Sequence, residues 1–163
     1  MAATPAESRI QSLKLRYCRY VDTQQFPRLT SLILPSCTFN FIDYFSSSPI
    51  VEPSASGPVT LGFDSLASWT SYFSEKFKGL RTMHLISGAG EFTKISEDEY
   101  EVIFPAIYHA APKEGETGWQ GAGGGHYYER WVRKGKEGGE GEQGEDWYMK
   151  SLRFERLYWK YVE

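Results

Sequence analysis

Three histidines, His84, His109 and His126, stand in stretches whose alternation of apolar, aromatic and polar residues reads as β-strand. Imidazole has an unperturbed pKa of about 6.5 and is suited to carrying protons near neutral pH. Three of them on what reads as one sheet point to general acid–base chemistry. A period of two places Thr82, His84 and Ile86 on one face of their strand and Met83 and Leu85 on the other. Tyr108 and His109 alternate in the same way. Farther on, His126, Tyr128 and Arg130 share one face, and Tyr127, Glu129 and Trp131 share the other. Both of those faces carry polar groups, so the alternation leaves the inward side open there.

Two carboxylates complete the candidates. Asp22, at the end of the first helix, is either a turn residue or the group that orients an imidazole. Glu129, next to Arg130, reads as a solvated strand residue, or as an acid or base if it is buried. A metal centre has little support, because the intervals from 84 to 109 to 126 match no HxH, HxxxH or HExxH spacing. The run GAGGGH lacks GK[ST] and precedes a strand rather than a helix, so it is no phosphate loop. No GxSxG elbow occurs, and neither Cys18 nor Cys37 has the local signature of a nucleophile. Elimination therefore favours chemistry without a cofactor or metal.

The elements that must position these groups fall into helices first and strands afterwards, an α+β order. Ile10, Leu13, Tyr17, Tyr20 and Val21 recur at helical spacing up to a stop at Asp22 and Thr23. Phe26, Leu29, Ile33 and Leu34 suggest a second short helix that Pro35 ends. Residues 37–44 read as the first strand. The Ser- and Pro-rich residues 46–58 read as an exposed, mobile connection with room for a lid. Asp64 resembles an N-cap for a third helix carrying Leu66, Trp69, Phe73 and Phe77, which stops at Gly79. Four β-rich segments follow, at 82–95, 100–111, 126–134 and 147–161. They are separated by SEDE, by the Gly-rich stretch 115–125 and by the acidic Gly run 135–144, which reads as a solvated hairpin loop. Curvature sufficient to enclose a cavity would come from bends at Gly79, Gly88, Gly90 and Pro105.

Composition sets the class. The 163 residues suit one domain, expected over 6–163, with room for a core and an interior cavity. Aromatic residues make up 16% of the chain, enough to line a pocket for a ring-bearing ligand as well as fill a core. A formal charge of -3, with Lys and Arg scattered, gives no footprint for nucleic acid. Two cysteines outside any CxxC pair read as reduced, buried thiols. Residues 1–8 lack the order of a secretion signal, and no apolar run approaches the roughly 18 residues that span a bilayer. A soluble, cytoplasmic protein without a membrane partner is the expectation.

The stretches YCRYVDTQQFPRL, PSCTFNF, GLRTMHLISGAGEF with KISEDE, and GGHYYERWVRK, with a Trp-rich last strand, resemble the fungal SnoaL-like branch of the nuclear-transport-factor-2-like superfamily. The pattern is most similar to that of the scytalone dehydratases. The resemblance implies a cone in which N-terminal helices pack into a strongly curved mixed or antiparallel sheet. It also implies a small-molecule substrate, removal of water without metal or organic cofactor, and a homodimer or homotrimer. An outer sheet face carrying Trp131, Trp147 or Trp159 would need such cover.

Position by position, the family's aspartate falls on Asp22 and one histidine on His84. The second histidine falls near His109 after a one-residue gap. The family's tyrosine pair falls on Val21 and Phe41, and its serine and asparagine on His126 and Tyr128. The implied catalytic set is thus Asp22, His84 and His109, with Asp22 accepting a hydrogen bond above all from His109. Tyr20, Phe41, Tyr108, His126, Tyr128 and Glu129 would surround the substrate.

The activity so implied is that of a dehydratase, isomerase or cyclase acting on a polyketide-like or other aromatic natural product of fungal secondary metabolism. A second reading is a semipinacolase-type rearrangement or cyclisation of an indole alkaloid or terpenoid intermediate, using Arg28, Tyr108, Tyr128 and Glu129. A third is a non-catalytic module for small-molecule binding or assembly.

Overall fold

The computed structural model describes residues 2–54, 56–113, 119–134 and 147–162. Helix α1 (Pro5–Asp22) begins at a capping box: Thr4 accepts from the Glu7 amide, and the Glu7 carboxylate accepts from the Thr4 amide. Its buried stripe runs Ile10, Leu13, Tyr17, Cys18 and Val21, and includes Lys14. A 3-10 turn (Phe26–Ser31) follows, and strand β1 (Ile33–Asp43) starts directly after it. The expected second helix therefore ends earlier, and Ile33, Leu34 and Pro35 belong to β1. The register of β1 breaks between Ile33 and Thr38, where proline has no amide to give the ladder.

The Ser- and Pro-rich stretch is more structured than its composition suggests. Strands β2 (Ser48–Pro49) and β5 (Gly62–Phe63) pair with β1, while β3 (Val51–Glu52) and β4 (Val59–Thr60) form a separate two-stranded ribbon. Helix α2 (Leu66–Lys76) takes Ser65 rather than Asp64 as its cap, because the Ser65 hydroxyl accepts from the Ser68 amide. The Asp64 carboxylate instead receives the Ser68 hydroxyl. A short 3-10 turn (Phe77–Gly79) leads into the sheet.

Strands β6 (Leu80–Ile86) and β7 (Glu91–Ser96) replace the single strand expected over 82–95. The break contains Gly88 at φ 84°, a left-handed conformation that suits glycine. Both strands pair with β8 (Glu99–Pro112), which is followed by β9 (Gln120–Arg133) and β10 (Trp147–Val162). The sheet order is β2-β1-β10-β9-β8-β6, with β1 parallel to β10 and the remaining pairs antiparallel. Gly121–Gly125 lie inside β9 and not in a loop. The acidic run 135–144 lies outside the described residues.

Both helices pack on one side of this sheet, α1 against β6 and α2 against β1. The core between them joins Leu13, Tyr17, Leu29, Phe39, Trp69, Phe104, Trp131 and Trp147. Trp131 and Trp147 are thus core residues and do not stand on the outer face. What that face exposes is Met83, Leu85, Ile107 and Tyr158. Among the described residues, no helix is long and apolar enough to cross a membrane.

Candidate active site

The end of α1 is fastened to the start of β6. Gln24, at φ 57°, turns the chain away from the helix, and its side-chain amide donates to the carbonyls of Phe77 (2.6 Å) and Leu80 (3.1 Å). This brings Asp22 against the inward face of β6. One carboxylate oxygen, Oδ1, accepts the Thr82 hydroxyl at 2.8 Å and lies 2.6 Å from His84 Nδ1. The other, Oδ2, accepts the His84 backbone amide at 2.8 Å. Burial opposes ionisation of Asp22, but the bonds and charge supplied by His84, with Thr82, outweigh it and hold the carboxyl below its ordinary value. An ionised Asp22 fixes Nδ1 as the donor, which leaves Nε2 of His84 as the ring nitrogen free for chemistry.

His84 lines a cavity of about 370 Å³ between the sheet, α2 and the β3–β4 ribbon. Its walls are mainly apolar, with Phe, Tyr and Trp rings making up nearly half of the lining residues, as suits a site taking a ring-bearing ligand. The rings of His84 and Tyr108 lie nearly parallel (5.9 Å, 23°), and those of Tyr108 and Trp159 more so (5.4 Å, 17°). His84 and Tyr108 are register partners on neighbouring strands, and Tyr108 faces Gly123 across the next pair. A methyl group at Gly123 would run into the Tyr108 ring, and one at Gly121 into Trp159. The glycines of β9 therefore let aromatic side chains from both neighbouring strands lie flat across it.

The polar groups of the cavity are few. Arg156 lines the cavity beside the Tyr108 phenol and lies 3.6 Å from the Asp43 carboxylate. Burial pushes the Tyr108 phenol up to about 12 despite the opposing Arg156 charge, so it stays protonated and can donate. At the mouth, Glu52 of the β3–β4 ribbon pairs with Lys76 of α2 and accepts the Tyr72 hydroxyl at 3.2 Å. The segment expected as a possible lid thus forms one wall, through Ile50–Pro53.

Of the residues singled out from the sequence, Asp22, His84, Phe41 and Tyr108 come together at this cavity or directly behind it. The others do not. His109 stands exposed on the outer face, opposite Met83, because odd and even positions of β8 point to opposite sides. The carboxylate of Asp22 therefore meets His84 and not His109. His126 and Tyr128 also lie on the outer side of β9, where Tyr128 sits beneath Arg153. Tyr20 is buried under Arg19 and Arg28, outside the cavity.

Glu129 is buried in the core, paired with Lys14 and accepting Trp131 Nε1 at 2.8 Å. The set Arg28, Tyr108, Tyr128 and Glu129 is consequently dispersed. Sequence reasoning missed Arg156 and Trp159, which line the cavity, and Lys14, although a lysine within the apolar stripe of α1 was a usable signal. Both cysteines are free and buried, and burial pushes Cys18 to about 11. Among the described residues, no three His, Cys, Asp or Glu side chains gather as a metal would require.

The arrangement can take a proton at His84 Nε2, keep the resulting imidazolium paired with Asp22, and offer donors from Tyr108 and Arg156 to an oxygen of the bound molecule.

Comparison with known proteins matches residues 2–153 to the SnoaL-like domain. A probable cyclase of Gibberella zeae is 38% identical over 161 residues, covering 98% of this chain and 97% of that protein. Two solved structures share the fold at low identity. One, from Novosphingobium aromaticivorans and provisionally named a scytalone dehydratase, aligns with a TM-score of 0.70 at 13% identity, over 96% of this chain and 87% of its own. The other, a nuclear transport factor 2-like superfamily protein of Salmonella enterica, has a TM-score of 0.64 at 9% identity, over 93% and 91%.

Proposed function

Since this chain belongs to the SnoaL-like domain family, we propose that it is a cofactor-independent lyase or isomerase, of the dehydratase or cyclase type, acting on a polyketide-like or other aromatic small molecule. The observation that carries this reading is the Asp22–His84 pair opening into an aromatic cavity. His84 takes a proton from a carbon made acidic by a neighbouring carbonyl. Asp22 sets the tautomer and stabilises the imidazolium. The resulting carbanion equivalent then expels a β-hydroxyl group, which takes the His84 proton and leaves as water, or closes a ring onto a carbonyl carbon whose oxygen takes that proton. Similarity to a probable cyclase of a fungus supports the ring-closing form and a place in fungal secondary metabolism. Self-association through the outer face, where Met83, Leu85, Ile107 and Tyr158 are exposed, belongs to the same reading and is checked by light scattering.

The decisive experiment offers hydroxylated aromatic ketones and indole alkaloid precursors side by side to the wild type and to His84→Ala and Asp22→Asn. Turnover of a ketone substrate that collapses in both variants is the expected result. Folded variants with wild-type rates would sink the acid–base role. Binding without any turnover would favour a carrier instead.

A further inference from the structure

We infer that Arg156, together with the Tyr108 hydroxyl, is the seat of the substrate's oxygen and holds the negative charge that forms there while His84 takes the proton. This rests on the acid–base reading above and deepens it, since it specifies the substrate as a planar, conjugated ketone whose oxygen and acidic carbon both face the wall shared by His84, Tyr108 and Arg156.

The first support is in the backbone. Arg156 and Trp159 both line the cavity, although an odd number of positions separates them. In a regular strand they would point to opposite faces. The ladder between β10 and β9 slips between Arg156, paired with Gly125, and Tyr158, paired with Gly124. That β-bulge inserts one residue and re-aims the strand. It therefore puts a cation and an indole on one wall while Tyr158 goes to the outer face.

The second support is the guanidinium's surroundings. The group lies beside the Tyr108 phenol, whose ionisation its charge favours, and near the Asp43 carboxylate. Asp43 is already engaged elsewhere: its Oδ1 accepts both the amide and the hydroxyl of Ser46 at 3.1 Å, and its Oδ2 lies 3.6 Å from Arg156, beyond hydrogen-bond range. A planar guanidinium has five N–H donors, so Arg156 retains donors for a ligand. Among the described lining residues the other Lys or Arg, Lys76, is closed by Glu52.

The third support is the ring wall. Tyr108 is held between His84 and Trp159 by near-parallel contacts, and Gly123 beneath it leaves no room for a side chain that would displace it. A flat substrate laid along this wall has the base at one end and the phenol–guanidinium pair beside it.

The step balances without a further reactant. The proton on the carbon beside the carbonyl passes to His84 Nε2, the C–H electron pair becomes the C=C bond, and the carbonyl π pair moves onto oxygen, facing Arg156 and Tyr108. The oxygen pair then re-forms the carbonyl as the carbon either attacks a second carbonyl carbon, whose oxygen takes the displaced π pair and the His84 proton, or expels a β-hydroxyl group. In the second case the leaving oxygen takes the His84 proton and departs as water.

The test uses 4-nitrophenol, whose anion is coloured and mimics the enolate oxygen, with the full-length chain. Wild-type protein is expected to bind it as the phenolate and to lower the pKa of the bound phenol by about one unit, read from absorbance. R156Q should abolish that shift and weaken phenolate binding about tenfold. Y108F should weaken it by a smaller factor. D43N, which removes the competing carboxylate, should bind phenolate at least as well as wild type, and this guards against an R156Q effect that is only misfolding. K76Q should lose far less than R156Q. Phenolate binding unchanged in R156Q, a larger loss in K76Q, or 4-nitrophenol bound only as the neutral phenol or not at all would each overturn the proposal. H84A separates the two readings: full turnover there removes the base, whereas retained phenolate binding with lost turnover supports both.

Discussion

Two carboxylates reach the interior from opposite sides of the α1–sheet interface, and they meet different fates. Glu129 is sealed: Lys14 closes one oxygen, Trp131 the other, and Lys14 is itself capped by the rings of Tyr127 (3.5 Å) and Tyr17 (4.5 Å). Asp22 is equally well bonded, yet its partner is an imidazole with a second nitrogen, at the wall of a cavity. A lysine ammonium spends its one charge on the carboxylate. An imidazole relays the effect of the carboxylate to its other side. The first arrangement holds the core together, and the second is suited to moving a proton.

The sharpest way to break this contrast is to remove each carboxylate's partner. His84→Ala is expected to lower turnover by about 10² to 10⁴, the usual contribution of a positioned base, and to shift the urea midpoint less than loss of Lys14 does, because the Thr82 hydroxyl and the backbone amide of residue 84 still hold Asp22. Lys14→Met should do the reverse. It strands a buried carboxylate and should cost about 3–5 kcal/mol of stability in urea melts, with kcat of the folded fraction little changed. Replacing Lys14 and Glu129 together by apolar residues of similar volume should recover most of that loss. Equal effects of both single variants on turnover would erase the distinction.

Acid titration sharpens it at smaller amplitude. The folded-state pKa of Asp22 is depressed, so its stabilisation is fully present above the unfolded-chain value and is lost as pH falls through the folded one. Asp22→Asn should therefore be less stable than wild type near neutrality, by about 1.5–3 kcal/mol. The gap should narrow below about pH 4, which paired thermal melts across that range would show. The smallest expected effect belongs to the cavity mouth. Glu52→Gln weakens the partly exposed contact with Lys76 and should cost under about 1 kcal/mol. Its trace would be faster ligand release in stopped-flow measurements rather than a shifted melt.

The sequence made α1, α2 and the face shared by Thr82 and His84 legible, because periodicity at 3.6 and at 2 reports directly on burial. It also placed Asp22 near an imidazole, but not which one. Alternation says which residues share a side, not which side is inward, and Tyr108 rather than His109 takes the inner position of β8. Arg156 was hidden for a related reason: the bulge breaks the period that would have been used to place it. Lys14 was hidden by its type, since a cation on an apolar stripe is expected to reach for solvent. The glycine run read as a loop because glycine alone weakens a strand. Its cover comes from rings on β8 and β10, far away in sequence.

That glycine tract means the volume available to a guest is set from underneath, by atoms that are missing. A single methyl at Gly121 would have to lift the Trp159 indole, and one at Gly123 would tilt the Tyr108 phenol, narrowing the chamber without altering any reactive group. The floor of the sheet is thus a dial for guest size that can be turned separately from the chemistry above it.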